Sequence, residues 1–297
     1  MNETEKKDWL KAGRITAQAR EYGKALIKPG ALMLDVVEKI EDKIHKLGAK
    51  PAFPVQVSIN EIAAHYTPQE QEQSEFRQGD LAKLDVGAHV NGAIGDTALT
   101  VNLGTENKEL VRASEQALQE AIKLIRAGIE ICEIGKVIGS TITSLGFNPI
   151  KNLTGHGLGL YEQHAGIQIP NYNNKDNTKL KIGDIIAVEP FATNGTGYIQ
   201  DGKLSGIYKL ENIKTIRDNY SREILPYIIK EYKTLPFAKR WLIKKFGPVK
   251  ASFALRMLKQ QDIIAEYNQL PESNRGLVSQ SEHTILIENK PIVTTKE

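Results

Sequence analysis

A single cysteine, Cys132, excludes an internal disulfide, and with it the small secreted scaffolds that depend on such bonds. Long apolar runs are missing as well. No stretch approaches the about 18 residues that a membrane helix needs, and the charged start Met1-Asn-Glu-Thr-Glu-Lys-Lys-Asp8 lacks the apolar segment of a secretory leader. Neither signal peptide nor membrane span is expected, and a cytoplasmic enzyme or binding protein is the default. Strong charge of one sign is also absent, since the net is only +3. It is unevenly spread, however. Ile213 to Gln260 holds 12 Lys and Arg against 3 Asp and Glu, a local +9 that leaves −6 for the remainder. A basic module is set into a mildly acidic body.

What is present is enough for a substantial core, with 297 residues of which 40% are apolar. Hydrophobic periodicity predicts helices over about Thr4 to Ile27 and Leu32 to Leu47, parted by Lys28-Pro29-Gly30. A strand is predicted over Ala52 to Ile59, followed by Asn60-Glu-Ile-Ala-Ala-His-Tyr-Thr67 as a loop or short extended segment. Further helices fit Glu106 to Ala127 and Glu133 to Leu145.

Between these lies Lys83 to Thr100, which reads as a hairpin turning at Asn91-Gly92. That turn sets Gly87 opposite Asp96 and makes Asp85 and Asp96 diagonal neighbours on one face. The glycine between them leaves a gap that a cation would fit. Two carboxylates so placed repel each other unless a proton or a metal offsets their charge. Alone, the pair fits a solvated strand face equally well.

An internal repeat adds to the case. Pro29-Gly30, Ile40, Leu47-Gly48 and Pro51 recur 98 residues later as Ala127-Gly128, Ile138, Leu145-Gly146 and Pro149. Gly79-Asp80 to Asp85 matches Gly183-Asp184 to Glu189 at an offset of 104. Two helices followed by strands, used twice, predict an α+β domain whose halves pack about a pseudo-twofold axis. Asp85 and Glu189 then hold equivalent places, each expected to end a Gly-Asp-led strand and face the cleft between the halves. An acid after Asp184-Ile-Ile-Ala-Val188 is costly to bury unless it is paired or binds a metal.

His156, among the glycines of Thr154-Gly-His-Gly-Leu-Gly159, and Glu282, opening the strand-like Glu282-His-Thr-Ile-Leu-Ile287, complete a candidate set. Asp85, Asp96, His156, Glu189 and Glu282 make an oxygen-rich group with one nitrogen, suited to two divalent ions of the Mn, Fe, Co or Zn type.

In their settings Lys-Leu-Asp85-Val-Gly, Gly-Asp96-Thr-Ala, Thr-Gly-His156-Gly, Val-Glu189-Pro-Phe-Ala-Thr and Glu282-His-Thr-Ile, these residues resemble the methionine aminopeptidases. Asn60-Glu-Ile-Ala-Ala-His65-Tyr-Thr-Pro68 and the insert containing Thr234-Leu-Pro-Phe-Ala-Lys-Arg-Trp-Leu242 are similar to the type II branch, in its short, archaeal-like form. The resemblance runs from about Trp9 to the end. It implies the pita-bread fold as a single catalytic domain over 1–297, with a basic helical subdomain inserted at about 208–270. It also implies excision of the N-terminal methionine from nascent proteins, by attack of a hydroxide activated between two metal ions. Asp85 would chelate one ion, Asp96 and Glu282 would bridge, and His156 and Glu189 would hold the other, with Glu189 also shuttling the proton. The resemblance assigns His65 and His164 to the substrate main chain and the tetrahedral intermediate, and Phe53, Phe191 and Tyr267 to the methionine pocket. Gln163 departs from the aliphatic residue the family leads one to expect beside His164.

Two rival functions share the pattern. One is an Xaa-Pro aminopeptidase of the same fold; the other is a non-enzymatic relative that binds RNA or the ribosome. The basic insert, with Lys239, Arg240, Lys244 and Lys245 interleaved among aromatics, reads either as a solvated face over its own core or as a ribosome-docking surface. Nothing in the sequence demands more than a monomer. His89 shares a predicted face with Asp85 but matches no ligand position and is taken as structural.

Overall fold

The computed structural model describes residues 1–296. Helix α1 (Glu3–Leu26) starts at a capping box: Asn2 Oδ1 accepts from the Glu5 N–H at 2.9 Å, and Glu5 Oε2 from the Asn2 N–H at 3.0 Å. Helix α2 (Met33–Lys46) buries Val36, Val37, Ile40 and Ile44 against it, the stripe its periodicity predicts. Short strands β1 (Lys50–Pro51), β2 (Gln56–Ile59) and β3 (Ile62–Ala64) follow. The strand predicted from Ala52 starts only at Gln56. Pro54 cannot donate to a ladder, and the segment from Ala52 to Val55 instead tucks Phe53 into the core.

Strands β4 (Leu81–Val90) and β5 (Ala93–Asn102) form the hairpin, with Gly87 opposite Asp96 and Asp85 opposite Ala98. Asn91 and Gly92 adopt φ of +52° and +95°, the double left-handed turn their types favour. Asp85 therefore lies in the middle of a ten-residue strand and does not end it. Both β1 and β2 pair with the other edge of β4, and α1 and α2 pack on the sheet.

The second half repeats the plan. Helices α3 (Lys108–Leu124) and α4 (Ile131–Ser144), each starting or ending within three residues of its predicted bound, precede β6 (Asn148–Pro149), β7 (Thr154–Gly157), β8 (Gln168–Pro170), β9 (Ile185–Val188) and β10 (Phe191–Thr193). Backbone detail follows the repeat. Gly30 and Gly128 have φ of +83° and +84°, Gly48 and Gly146 +83° and +85°, and Gly79 and Gly183 +93° and +97°. The Asp80 carboxylate accepts from the Arg77 N–H at 2.8 Å, as the Asp184 carboxylate does from the Lys181 N–H at 2.7 Å. Ser58 opposite Lys83 in one half corresponds to His156 opposite Ala187 in the other.

The insert is built from β11 (Leu204–Leu210), α5 (Asn219–Glu231), β12 (Phe237–Ala238), α6 (Lys239–Phe246), α7 (Pro248–Gln260) and β13 (Ile264–Asn268). It carries three paired strands as well as helices, around its own core of Ile224, Ile228, Phe237, Leu242, Leu255 and Ile264. Arg240, 1% exposed, pairs with buried Glu41 of α2, which also accepts from Trp241 Nε1 at 2.9 Å. That ion pair pins the insert to the first half. It also removes Arg240 from the surface on which the sequence placed it.

The chain closes with β14 (Leu270–Pro271), β15 (Val278–Gln280), β16 (His283–Leu286) and β17 (Ile292–Val293). In one sheet the order is β17-β16-β9-β7-β8. Phe191 pairs with Gln280 and Val188 with His283, so Glu189 and Glu282 come face to face between them. Strand β16 meets β5 through hydroxyls: Thr284 Oγ1 donates to the Asp96 carbonyl and accepts from its N–H, both at 2.8 Å, and Thr97 Oγ1 donates to the Glu282 carbonyl at 2.7 Å. The two half-sheets are thereby joined where their acids converge.

Candidate metal centre

Asp85, Asp96, His156, Glu189 and Glu282 all line one cavity of about 290 Å³. Ligand atoms of Asp96, His156 and Glu282 lie within 4.8 Å of one another. His156 Nε2 is 3.5 Å from Glu189 Oε1 and 3.8 Å from Asp96 Oδ2. Its Nδ1 lies 3.2 Å from the Gly157 carbonyl. A neutral ring that donates there turns the lone pair of Nε2 toward the acids, as a metal ligand requires.

Electrostatics separate this cluster from an ordinary polar patch. Burial pushes Asp85 up to about 7 against the opposing hydrogen bond of the Gln280 amide. Burial, and then repulsion among the acids, pushes Asp96, Glu189 and Glu282 well above the usual carboxylate range. Oδ1 of Asp85 and Oδ1 of Asp96 are buried with no hydrogen-bond partner. Orphaned oxygens among mutually repelling acids are what a divalent cation satisfies, and the donor set suits a hard or borderline ion.

His65 sits at φ +64°, a left-handed conformation rare for a side-chain-bearing residue. Two contacts hold it there: its N–H donates to Gln56 Oε1 at 2.6 Å, and its Nδ1 lies 3.1 Å from the Asn268 carbonyl. Burial lowers its imidazole from the ordinary value. His164 stands at the cleft mouth, its ring 4.4 Å from that of His156. Crowding by protein, then His65 and Lys209, pushes it down to about 4. Burial thus favours the neutral form of both rings.

Phe191 lines the cavity. Tyr267 packs edge-on against His65 at 5.1 Å and lines the adjoining recess with Gln163 and His164. Phe53, 1% exposed, packs its ring over Gly87: a Cβ placed there would come within 2.1 Å of Cε1. The gap expected to hold a cation is thus filled by an apolar ring, and the acids reach past it. His89 lies elsewhere, 7% exposed and packed on Tyr161 at 5.4 Å.

Sequence reasoning passed over Gln280, 1% exposed, whose Nε2 lies 3.4 Å from both Glu189 Oε2 and Glu282 Oε2. Strand alternation from Glu282 puts it on the same face, a signal available in advance. Gln56, directly across from Asp85, was also missed; its partner, the His65 N–H, is invisible to pattern.

Comparison with known proteins agrees with this geometry. Residues 8–241 match the model of metallopeptidase family M24. The chain is 45% identical over 289 residues to a methionine aminopeptidase of Pyrococcus abyssi, covering 97% of this chain and 98% of that one. The chain belongs to metallopeptidase family M24, among the type II methionine aminopeptidases. A methionine aminopeptidase of Methanocaldococcus jannaschii is 46% identical over 288 residues, with 97% of each chain covered. The crystal structure of the Thermotoga maritima methionine aminopeptidase superposes with a TM-score of 0.73 at 27% identity, over 100% of this chain and 98% of that one. The chain has the pita-bread fold, depends on metal and removes N-terminal methionine; the Xaa-Pro aminopeptidase and RNA-binding alternatives are not favoured.

Proposed function

We propose that Asp85, Asp96, His156, Glu189 and Glu282 hold two divalent ions and that this cleft is where the first peptide bond of a polypeptide is hydrolysed. The observation that carries the reading is that two buried acids, Asp96 and Glu282, two half-buried ones, Asp85 and Glu189, and His156 line one cavity with carboxylate oxygens left unpartnered. Bound divalent ions would supply an activated water and neutralise the charge that develops on the substrate carbonyl. The chain's own residues do the rest. Glu189, at the edge of the cluster and steadied by Gln280, takes the proton of the attacking water and returns it to the leaving amine. His65, with Nδ1 committed to Asn268, offers Nε2 as an acceptor and so suits a peptide N–H of the substrate. His164 is left to donate to the oxyanion.

The test is methionine release from a Met-Gly peptide by metal-stripped protein, titrated separately with Co, Mn, Fe and Zn, alongside an Ala-Pro peptide. Stoichiometry of two ions and cleavage of the methionyl peptide support the reading; saturation with one ion, or cleavage of the prolyl peptide only, overturns it.

A cytoplasmic monomer acting on chains as they emerge is part of the same reading. Its basic insert exposes Arg222, Lys230, Lys233, Lys245 and Arg256, which suit the phosphates of ribosomal RNA. Cosedimentation with ribosomes that fades with salt and with charge reversal at Lys230, Lys245 and Arg256 supports this; salt-insensitive or absent binding overturns it.

A further inference from the structure

The walls of the cleft are not uniformly apolar. Ala64, Leu153, Ala165, Ile167 and Phe191 supply hydrophobic surface, but Gln56 and Gln163 stand among them. Gln56 is 5% exposed, and its orientation is fixed because Oε1 accepts the His65 N–H. Its Nε2 has no hydrogen-bond partner among the described residues, and the side chain lines the cavity. Gln163, half-buried on the loop before His164, lines the same cavity and the recess beside it; its side chain hydrogen-bonds the Asp96 carboxylate, which leaves the second amide hydrogen for a ligand. A methionine thioether is a weak acceptor and leaves such donors nearly unpaired. An oxygen on that sulfur would pair them.

We propose that the first-residue pocket accepts methionine sulfoxide as well as methionine, with Gln56 Nε2 and the Gln163 amide donating to the sulfoxide oxygen. The reaction is the same hydrolysis: water is consumed, the first peptide bond breaks, and free methionine sulfoxide leaves with no change in oxidation state. A sulfoxide buried in a purely apolar pocket loses its hydration without compensation; here the amides replace it. Because sulfoxidation makes the sulfur chiral, donors fixed at one side of the pocket favour one epimer. Gln56 and Gln163 are thus specificity-determining residues. The inference rests on the placement of the first side chain in this cleft.

The experiment compares kcat/KM for a Met-Gly peptide and for its two separated sulfoxide epimers with metal-loaded protein. It is repeated with Gln163→Leu, and with Gln56→Glu, which keeps an acceptor for the His65 N–H while removing the donor. Wild type is expected to cleave the better epimer at no less than about one hundredth of the methionyl rate, and both variants to lower that ratio by about tenfold or more and to erase the epimer preference. A wild-type ratio below that level, or a ratio that either variant fails to lower about tenfold, overturns the proposal. Failure of the wild type to release methionine from the unoxidised peptide would be a different result. It would overturn the catalytic reading of the cleft, and this inference with it.

Discussion

Glu272 and the cleft acids Asp96 and Glu282 are all covered carboxylic acids, yet they are treated in opposite ways. Glu272 is 0% exposed, and its carboxylate accepts from the Thr196 N–H and Oγ1 at 2.6 and 2.5 Å, the Asn274 N–H at 2.8 Å and the Gly276 N–H at 2.9 Å. Burial pushes it up, but these bonds together outweigh burial and hold it below the ordinary range. Asp85 and Asp96 have bare oxygens and rise. Burial alone does not distinguish a site from a strut. What distinguishes them is whether the fold supplies the partners or leaves them to be bound.

That contrast can be broken most forcefully by removing one carboxylate on each side. Glu189→Gln should lower methionine release about a thousandfold in kcat, since general acid–base groups contribute roughly 10²–10⁴; near-normal turnover would end the role given to Glu189. Glu272→Ala should instead cost about 1–3 kcal/mol of stability, because it strands buried N–H donors, and leave turnover of the folded fraction intact. Chemical denaturation beside steady-state kinetics reads both. Gln280→Leu lies between the two classes. It should weaken metal affinity by about tenfold, as loss of a residue supporting ligands does, and isothermal titration would show an unchanged affinity if the amide is incidental.

The smallest effect sharpens the comparison through sign. The cleft acids have raised pKa values when folded, so what they contribute to the metal-free protein is present below the unfolded carboxylate value, near 4, and is lost as pH rises through about 7, the value for Asp85. Glu272 is depressed, so its contribution is present above the unfolded value and lost as pH falls through its folded one. Metal-free protein should therefore lose thermal stability between pH 5 and 8, with a shallower loss in Asp85→Asn, while Glu272→Gln should flatten only the acid side. Parallel melting profiles for the two variants would contradict the assignment.

Much of this was legible in the sequence, for identifiable reasons. Asn91-Gly92 dictates a turn, the turn dictates register, and the register places Asp85 near Asp96 without any tertiary knowledge. The repeat gave Asp85 and Glu189 as equivalents because each half must solve the same helix-on-sheet packing. What stayed hidden depends on contacts across the fold. Phe53 covers Gly87 because a break at Pro54 turns its ring inward. Arg240 reads as one more surface cation until Glu41, 199 residues away, draws it in. Tyr267 reaches His65 from the far side of the insert.

The late position of Glu282 has a consequence for how the molecule is made. Strand β16 brings that acid to Asp96 and Glu189 only after both half-sheets and the whole insert exist. A chain stopped anywhere before it carries at most four of the five converging residues. On the proposed reading of the cleft, the metal-binding set is therefore completed only when the last strands of the fold are in place.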